Sequence, residues 1–363
     1  MPIERMNLVE KLSQPSIRES AMRVADGERL AAPVVVDIDP TTFCDLSCPE
    51  CISASLLHQG RFTQQRLVEL AHELISAGVQ GVVFIGGGEP LAHPATTSAI
   101  EILHTGGIAV GLVTNGTLLD RNLAVLAGHV SWVRVSVDAA TPMTYAAFRP
   151  SRNGRNMFAT VIENMRSLAA VKSGQLGYSF VVNAPSTSGR ESDRTNMFEI
   201  DAAAVLARDI GCDYFEIKAA MLDDHRLAPV SPRVRGELSA RLEAARGHQR
   251  PGFSVTMSSS FERLLRDTDL SQPKEYRSCA TAELRTVITP SGVFVCPYHR
   301  GNPAMRIGDA VTTHLTELWA RARPDVVDPS RDCPFHCARH ATNLALAAPL
   351  PDAGPLDAID PFI

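Results

Sequence analysis

From about residue 33, short apolar runs rich in β-branched residues alternate with stretches whose apolar positions recur every three to four residues. The first run predicts a strand over Val34–Ile38, and Phe62–Ala77 then aligns Leu67, Leu70, Ala71 and Leu74 on one helix face. The alternation continues through strand Val82–Ile85, helix His93–Thr105, strand Gly111–Thr114, helix Leu118–Leu126 and strand Trp132–Val137. Helix Asn156–Ala170, strand Leu176–Val182, helix Asn196–Ile210 and strand Tyr214–Lys218 complete it. Asn196 suits an N-cap, and Gly211 stops the same helix at its other end.

Repeated strand–helix units imply parallel strands joined by right-handed crossovers. The predicted fold class is therefore α/β: a partial (β/α)6 TIM-type barrel with a small C-terminal α+β region. A doubly wound open sheet is the arrangement that periodicity leaves open. After Lys218 the rhythm breaks into helices near Arg233–Ala245 and Phe261–Asp267, a hairpin of Leu284–Ile288 and Val293–Cys296, and a helix at Leu315–Arg323. The expected organisation is a helical N-terminal extension (1–32), the barrel (33–220), a helical connection (221–275), the small region (276–347) and an irregular, proline-bearing tail (348–363).

The 363 residues are 45% hydrophobic and 21% charged with a net charge of −5, the composition of a soluble globular enzyme. No Lys/Arg run marks a nucleic-acid or anionic-membrane surface. Residues 1–31 lack the basic start and apolar core of a secretory signal, and no stretch reaches the ~18 apolar residues of a membrane helix. A cytoplasmic location is expected.

Eight cysteines in a reducing compartment read as metal ligands or catalytic thiols rather than disulfides. Cys44-x3-Cys48-x2-Cys51 puts three thiolates in one loop directly after the first strand. Three thiolates on a cubane cluster leave one iron open, whereas a structural zinc would need a fourth ligand, for which His58 is the local candidate. Cys279, Cys296, Cys333 and Cys337 suffice for a second cluster or for a four-thiolate zinc, with His299, His336 and His340 nearby.

The triplet resembles the signature of the radical S-adenosylmethionine (SAM) superfamily. Gly87-Gly88-Glu89-Pro90 resembles that family's element for the SAM amino group. Asn115, in Thr114-Asn115-Gly116, and Ser136 and Asp138, in Ser136-Val137-Asp138, resemble strand-end positions near SAM. Glu50 stands where the family usually carries an aromatic residue, so a backbone contact to adenine is expected without aromatic packing. The resemblance implies a [4Fe–4S] cluster with an open iron, bound SAM, and a flavodoxin- or ferredoxin-type electron donor. It also implies a 5′-deoxyadenosyl radical that abstracts hydrogen from substrate.

The quartet, with Gly292-x3-Cys296, Arg306-Ile307-Gly308-Asp309 and Leu315-Thr316-Glu317-Leu318-Trp319, resembles a twitch domain, the shortened SPASM domain that holds an auxiliary [4Fe–4S] cluster. Such enzymes act largely on small molecules, so a small polar substrate is expected. Glu216 and Lys218 alternate on the last barrel strand and point the same way, as an acid–base pair or as a salt bridge. Cys212 is either a core thiol or a hydrogen donor. Asn183, Asp223, Asp224, His225 and Arg149 are further loop candidates. The chain is similar to sugar and nucleoside-antibiotic enzymes of the cytosylglucuronate decarboxylase and 1,2-diol dehydratase type. Cyclitol or aminoglycoside dehydrogenases and peptide-modifying SPASM maturases are the alternatives.

Overall fold

The computed structural model describes residues 8–187, 194–222, 224–266, 274–350 and 360–362. Ten strands form one sheet: β1 (Val35–Ile38), β2 (Gly81–Phe84), β3 (Ala109–Thr114), β4 (Trp132–Ser136), β5 (Gln175–Val182), β6 (Tyr214–Ala219), β7 (Ser254–Met257), β8 (Arg285–Thr289), β9 (Gly292–Phe294) and β10 (Arg306–Gly308). Their order is β10-β9-β8-β1-β2-β3-β4-β5-β6-β7. Strands β8 and β1 to β7 run parallel, and β9 and β10 are antiparallel additions at one edge.

That order resolves the choice between a doubly wound sheet and a curled one. Each strand from β1 to β7 lies beside its sequence neighbours, so crossovers of one hand keep the helices on one face and the sheet curls around the other. Burial follows the same division. On β4, Val133 and Val135 are buried against the helices, whereas Trp132, Arg134 and Ser136 on the inner face stay partly exposed. A packed TIM barrel fills its interior with layers of side chains. Here the inner face keeps partly exposed polar groups, so it lines a chamber.

Two terminal segments close the chamber at the N-terminal ends of the strands. Leu12, Ile17, Ala21, Val24 and Leu30, from helix Pro15–Ala25 and its flanks, pack with Val35, Val83, Leu284, Leu346 and Phe362. Phe362 meets Trp132 edge-on at 5.3 Å, and Lys11 Nζ reaches Asp360 at 3.1 Å while donating to the carbonyl of Phe362 at 2.9 Å. Each large apolar side chain withdrawn from water there is worth roughly 1.5–3 kcal/mol. Part of the segment expected to be an irregular tail is thus the barrel's floor.

The expected strands are present in the expected order, and β7 and β8 extend the parallel sheet at its two edges. Strand β7 lay hidden in the sequence because its four residues, Ser-Val-Thr-Met, alternate polar and apolar without a recognisable run. Its inner positions Ser254 and Thr256 follow the register of Tyr214 and Glu216 on β6. The hairpin assigned to the small region is joined to the barrel by parallel pairing of β8 with β1. Gly211 ends its helix at φ 97°, as expected of a left-handed C-cap. Asn196 differs from expectation: its side chain caps no helix but accepts from the Asn183 amide at 2.8 Å and donates to the carbonyls of Asp138 and Val181, both at 2.9 Å.

Candidate active site

The loop after β1 is stitched to itself. Thr42 donates its amide to Gly60 O at 2.9 Å, and its hydroxyl accepts from the amides of Gln59 (2.8 Å) and Gly60 (2.9 Å). Within this loop Cys44, Cys48 and Cys51 are partly exposed. Burial pushes the Cys44 thiol up to about 12, with the neighbouring Glu89, Asp45 and Cys48 adding to it against an amide hydrogen bond from Leu46. Burial also raises Cys48, opposed by Arg149 and reinforced by Cys51. The thiols therefore lie within electrostatic reach of one another. Cys44 and Cys48, whose thiols resist ionisation on their own, suit together with Cys51 of the same loop a cationic metal centre, which stabilises thiolates directly. His58 is turned to Phe43, edge-on at 5.5 Å, and abuts Arg152.

Gly87-Gly88-Glu89-Pro90 packs onto that loop with no room for side chains. Gly88 donates to Thr41 O at 3.2 Å and Glu89 to Phe43 O at 2.8 Å. A β-carbon on Gly88 would lie 2.6 Å from the carbonyl carbon of Phe43. Glu89 is 2% exposed, and its carboxylate accepts from Thr114 Oγ1 (2.7 Å), the Asn115 amide (2.7 Å) and the Leu91 amide (3.1 Å). Burial raises its carboxyl to about 7 against those donors. Asn115 Nδ2 bonds Asp45 Oδ1 at 2.7 Å and lies 3.9 Å from Cys44 Sγ, and Thr117 Oγ1 bonds Asp45 Oδ2 at 2.7 Å. The ends of β1, β2 and β3 are thereby clamped together.

At the end of β4, Ser136 sits on the inner face in register with Ser179 of β5. Asp138 adopts φ 59°, and it accepts from the Val181 amide at 2.7 Å and from Arg149 Nε at 2.8 Å. Arg149 thus bridges Asp138 to the surroundings of Cys48. Asn183 Nδ2 reaches Glu50 Oε1 at 3.3 Å, placing both at the same rim, with Arg194 Nε 3.9 Å from Glu50.

Glu216 and Lys218 point together into the chamber, with Lys218 Nζ 3.1 Å from Glu216 Oε2. A residue not singled out in the sequence joins them: Arg134 Nη1 lies 3.2 Å from the same oxygen. Burial alone would raise Glu216, but Lys218 and Arg134 outweigh it and hold the carboxyl below its ordinary value. Burial, then Arg134, brings Lys218 down to about 8 against the pull of Glu216. Lys218 is therefore the better proton-transfer group of the pair, and Glu216 its anchor. A second ion cluster faces it: Asp37 on β1 accepts from Arg285 at 2.6 and 3.1 Å and lies 3.6 Å from Arg339.

Other sequence candidates fall elsewhere. Cys212 precedes β6 at the opposite end of the strand from the cysteine loop and packs in the helix-side core, where burial raises its thiol strongly, so it does not reach the chamber. Asp224 pairs with Arg226 at 2.5 Å on a half-exposed loop. His225 packs against Tyr298 and Phe335, each at 5.6 Å. Asp223 lies outside the described residues.

Asp39 and Arg300 were also missed. Asp39 is fully buried at the end of β1, and burial raises its carboxyl to about 6 with Arg300, 3.8 Å away, opposing. Arg300 also reaches Ser53 Oγ (3.4 Å) and Gly86 O (3.5 Å), so the segment after β9 touches both the cysteine loop and the glycine turn.

Cys279, Cys296 and the Cys333–Cys337 loop come from three separate places in the chain to one neighbourhood. Burial raises Cys296 and Cys333, and each also feels Cys279 and Cys337. Their sulfurs have polar neighbours: Thr281 Oγ1 (3.2 Å) and Asn343 Nδ2 (3.6 Å) at Cys279, and His299 Nε2 (3.4 Å) at Cys333. His336 bonds Ser259 at 3.1 Å and burial lowers it to about 4, while His340 bonds the Tyr276 hydroxyl at 3.1 Å. Among the described residues no three His, Cys, Asp or Glu side chains are drawn together as ligands of a single ion.

The family model of the Radical SAM superfamily matches residues 38–185. This segment is a radical SAM domain. The match runs from the last residue of β1 past the end of β5, and so spans the triplet, the glycine turn, Asn115, Ser136 and Asp138. Radical SAM membership implies a [4Fe–4S] cluster and SAM. The chain is 26% identical over 190 residues to an AdoMet-dependent heme synthase of Methanosarcina barkeri, covering 51% of this chain and 50% of that protein. It is 23% identical over 170 residues to an S-adenosylmethionine-dependent nucleotide dehydratase of Flammeovirga pacifica, covering 44% and 56%. The chain thus spans about half the length of these curated relatives. Its fold is similar to Streptococcus suis SuiB, solved with its precursor peptide SuiA, at a TM-score of 0.61 and 14% identity, covering 86% of this chain and 70% of that one. It is also similar to anSMEcpe with bound AdoMet, at a TM-score of 0.58 and 14% identity, covering 87% and 96%. Among the described residues no helix is long and apolar enough to cross a membrane.

Proposed function

We propose that this radical SAM chain acts on a small polar substrate held in the barrel chamber. Cys44, Cys48 and Cys51 would hold the cluster. Gly87, Gly88, Glu89, Pro90, Asn115, Ser136, Asp138 and the backbone of Glu50 would line the SAM site. The chemistry such a cluster supplies with SAM is reductive sulfonium cleavage to a hydrogen-abstracting 5′-deoxyadenosyl radical. The observation that carries the reading is the partly exposed Arg134–Glu216–Lys218 cluster inside the barrel that bears the triplet.

Within that chamber, Lys218 is poised to take a proton from a hydroxyl made acidic by an adjacent radical, with Glu216 and Arg134 orienting it. Proton removal beside a leaving group favours decarboxylation or 1,2-diol dehydration of a sugar or nucleoside-antibiotic intermediate, as in cytosylglucuronate decarboxylase-like enzymes. The second cysteine group supports a dehydrogenase of a cyclitol or aminoglycoside as the other reading. Four thiols of 276–347 that lie within electrostatic reach of one another, with polar neighbours at two sulfurs, support an auxiliary twitch-like [4Fe–4S] cluster able to accept an electron. A flavodoxin or ferredoxin would supply the first electron.

Anaerobic reconstitution tests this. Iron near eight atoms per chain and 5′-deoxyadenosine from SAM plus reductant are expected if both sites hold cubanes, on the order of four irons each. Cys44→Ala, Cys48→Ala or Cys51→Ala should abolish cleavage. Cys279→Ala or Cys333→Ala should lower iron content yet leave SAM cleavage intact. Fewer than about four irons, or no 5′-deoxyadenosine, would defeat the reading. Assays of sugar nucleosides for loss of CO2, loss of water or two-electron oxidation separate the two reactions.

A further inference from the structure

The glycine turn after β2 meets a buried ion pair whose two halves come from distant parts of the chain. Asp39, at the end of β1, has a side chain 1% exposed, and Arg300, in the segment after β9, one 8% exposed. Arg300 Nε lies 3.8 Å from Asp39 Oδ2. Its Nη1 donates to Ser53 Oγ at 3.4 Å, close behind Cys51, and to the Gly86 carbonyl at 3.5 Å. One guanidinium therefore reaches the cysteine loop, the glycine turn and the end of the first strand. Its own segment is pressed against the same loop: Gly301 has φ 78°, and a β-carbon there would lie 2.6 Å from Leu56 Cδ2.

Asp39 in turn packs against the glycines. A β-carbon on Gly87 would lie 2.7 Å from Asp39 Oδ2, and the Gly87 and Gly88 amides face the carboxylate. Among the described residues, neither Asp39 oxygen nor Arg300 Nε closes a hydrogen bond. A buried pair held this loosely recovers little of the cost of taking two charges out of water, so it adds little to the stability of the fold. What it fixes is geometry. Its contacts set where Gly86, Gly87 and Gly88 stand relative to the loop of Cys44, Cys48 and Cys51.

We infer that Arg300 is a positioning residue for SAM binding, acting through Asp39 and the Gly86 carbonyl to hold the glycine turn against the cysteine loop. The inference rests on the proposed role of that turn in lining the SAM site. It makes the small region part of the site, because Arg300 lies outside the matched segment 38–185.

The test measures SAM affinity by equilibrium dialysis on the anaerobically reconstituted full chain, at matched iron content. Arg300→Gln should raise the Kd for SAM about tenfold, roughly 1.4 kcal/mol. Asp39→Asn should do much the same, and the double variant should lose little more than either, because both act on one turn. Arg300→Lys, which keeps the charge beside Asp39, should recover part of the loss. Arg331→Gln, in the same region with a 71% exposed side chain, should lose none. Hydrogen exchange on the full chain before reconstitution gives a readout that needs neither iron nor SAM. Arg300→Gln should speed exchange in segment 86–91 about tenfold and leave strand β5 unchanged, which separates a loosened turn from a lost fold. Unchanged exchange in 86–91 overturns the inference even if the variant fails to take up iron. Equal SAM affinity in Arg300→Gln and the unaltered chain, at full iron, overturns it too and leaves the proposed function standing. An unaltered chain that binds no SAM would instead defeat the proposed function, and the inference with it.

Discussion

Replacing Gly88 with alanine tests the junction on which the candidate site is built. The added β-carbon would press into the backbone of Phe43, at 2.6 Å from its carbonyl carbon, with no flexible side chain there to yield. Overpacking of this kind costs about 1–3 kcal/mol. Relief requires the turn to move off the cysteine loop, stretching the bonds from Gly88 to Thr41 O (3.2 Å) and from Glu89 to Phe43 O (2.8 Å), each worth about 1 kcal/mol. A total loss of about 2–4 kcal/mol is expected. Gly128→Ala is the matched control. It lies in helix Leu123–His129 with open space where the β-carbon would go, so it should gain up to about 1 kcal/mol. Urea unfolding followed by circular dichroism reads both, and iron content after reconstitution reports the loop. A Gly88→Ala protein within about 0.5 kcal/mol of the parent, with full iron, would show that the turn and loop are not mutually dependent.

Four further outcomes follow from the charges and the floor. Competitive acetic-anhydride labelling should find Lys218 titrating near 8, and Glu216→Gln should move it lower still; a midpoint at the ordinary lysine value would refute the assigned environment. Because Lys218 loses its proton in the folded chain well before the unfolded one does, it should make stability rise as pH climbs from about 8 toward about 10.4, and Lys218→Met should flatten that rise. Asp39 works in the opposite sense: raised to about 6, it stabilises the fold while protonated, and that contribution should fade as pH rises from about 4 to 6. Asp39→Asn should abolish the fade in urea titrations across that range, and an unchanged profile would count against it. Phe362→Ala should cost about 3 kcal/mol and red-shift the fluorescence of Trp132, which loses its edge contact; an unaltered spectrum would mean the floor is closed by other residues.

Lys218, Glu216 and Arg134 show where sequence reading reaches and where it stops. The period-two placement of Glu216 and Lys218 put both on one face of a strand, and that much is local geometry. Arg134 carries the same signal, a polar residue on the partly exposed face of Trp132–Ser136, and was readable on that ground. Asp37 likewise interrupts an otherwise apolar Val35–Ile38. Arg285, Arg339 and Arg300 had no such signature, because they come from β8 and from loops whose approach depends on β8 pairing with β1.

By itself the sequence determined the parallel strand–helix order, the three cysteines in one loop and the glycine turn, because each depends on residues close together along the chain. The tertiary structure decided the rest. Only sheet order could distinguish a curled barrel from an open doubly wound sheet, since both have the same periodicity. Only long-range packing could bring helix Pro15–Ala25 and residues 360–362 together as a floor, retire Cys212 to the core and draw four dispersed cysteines together.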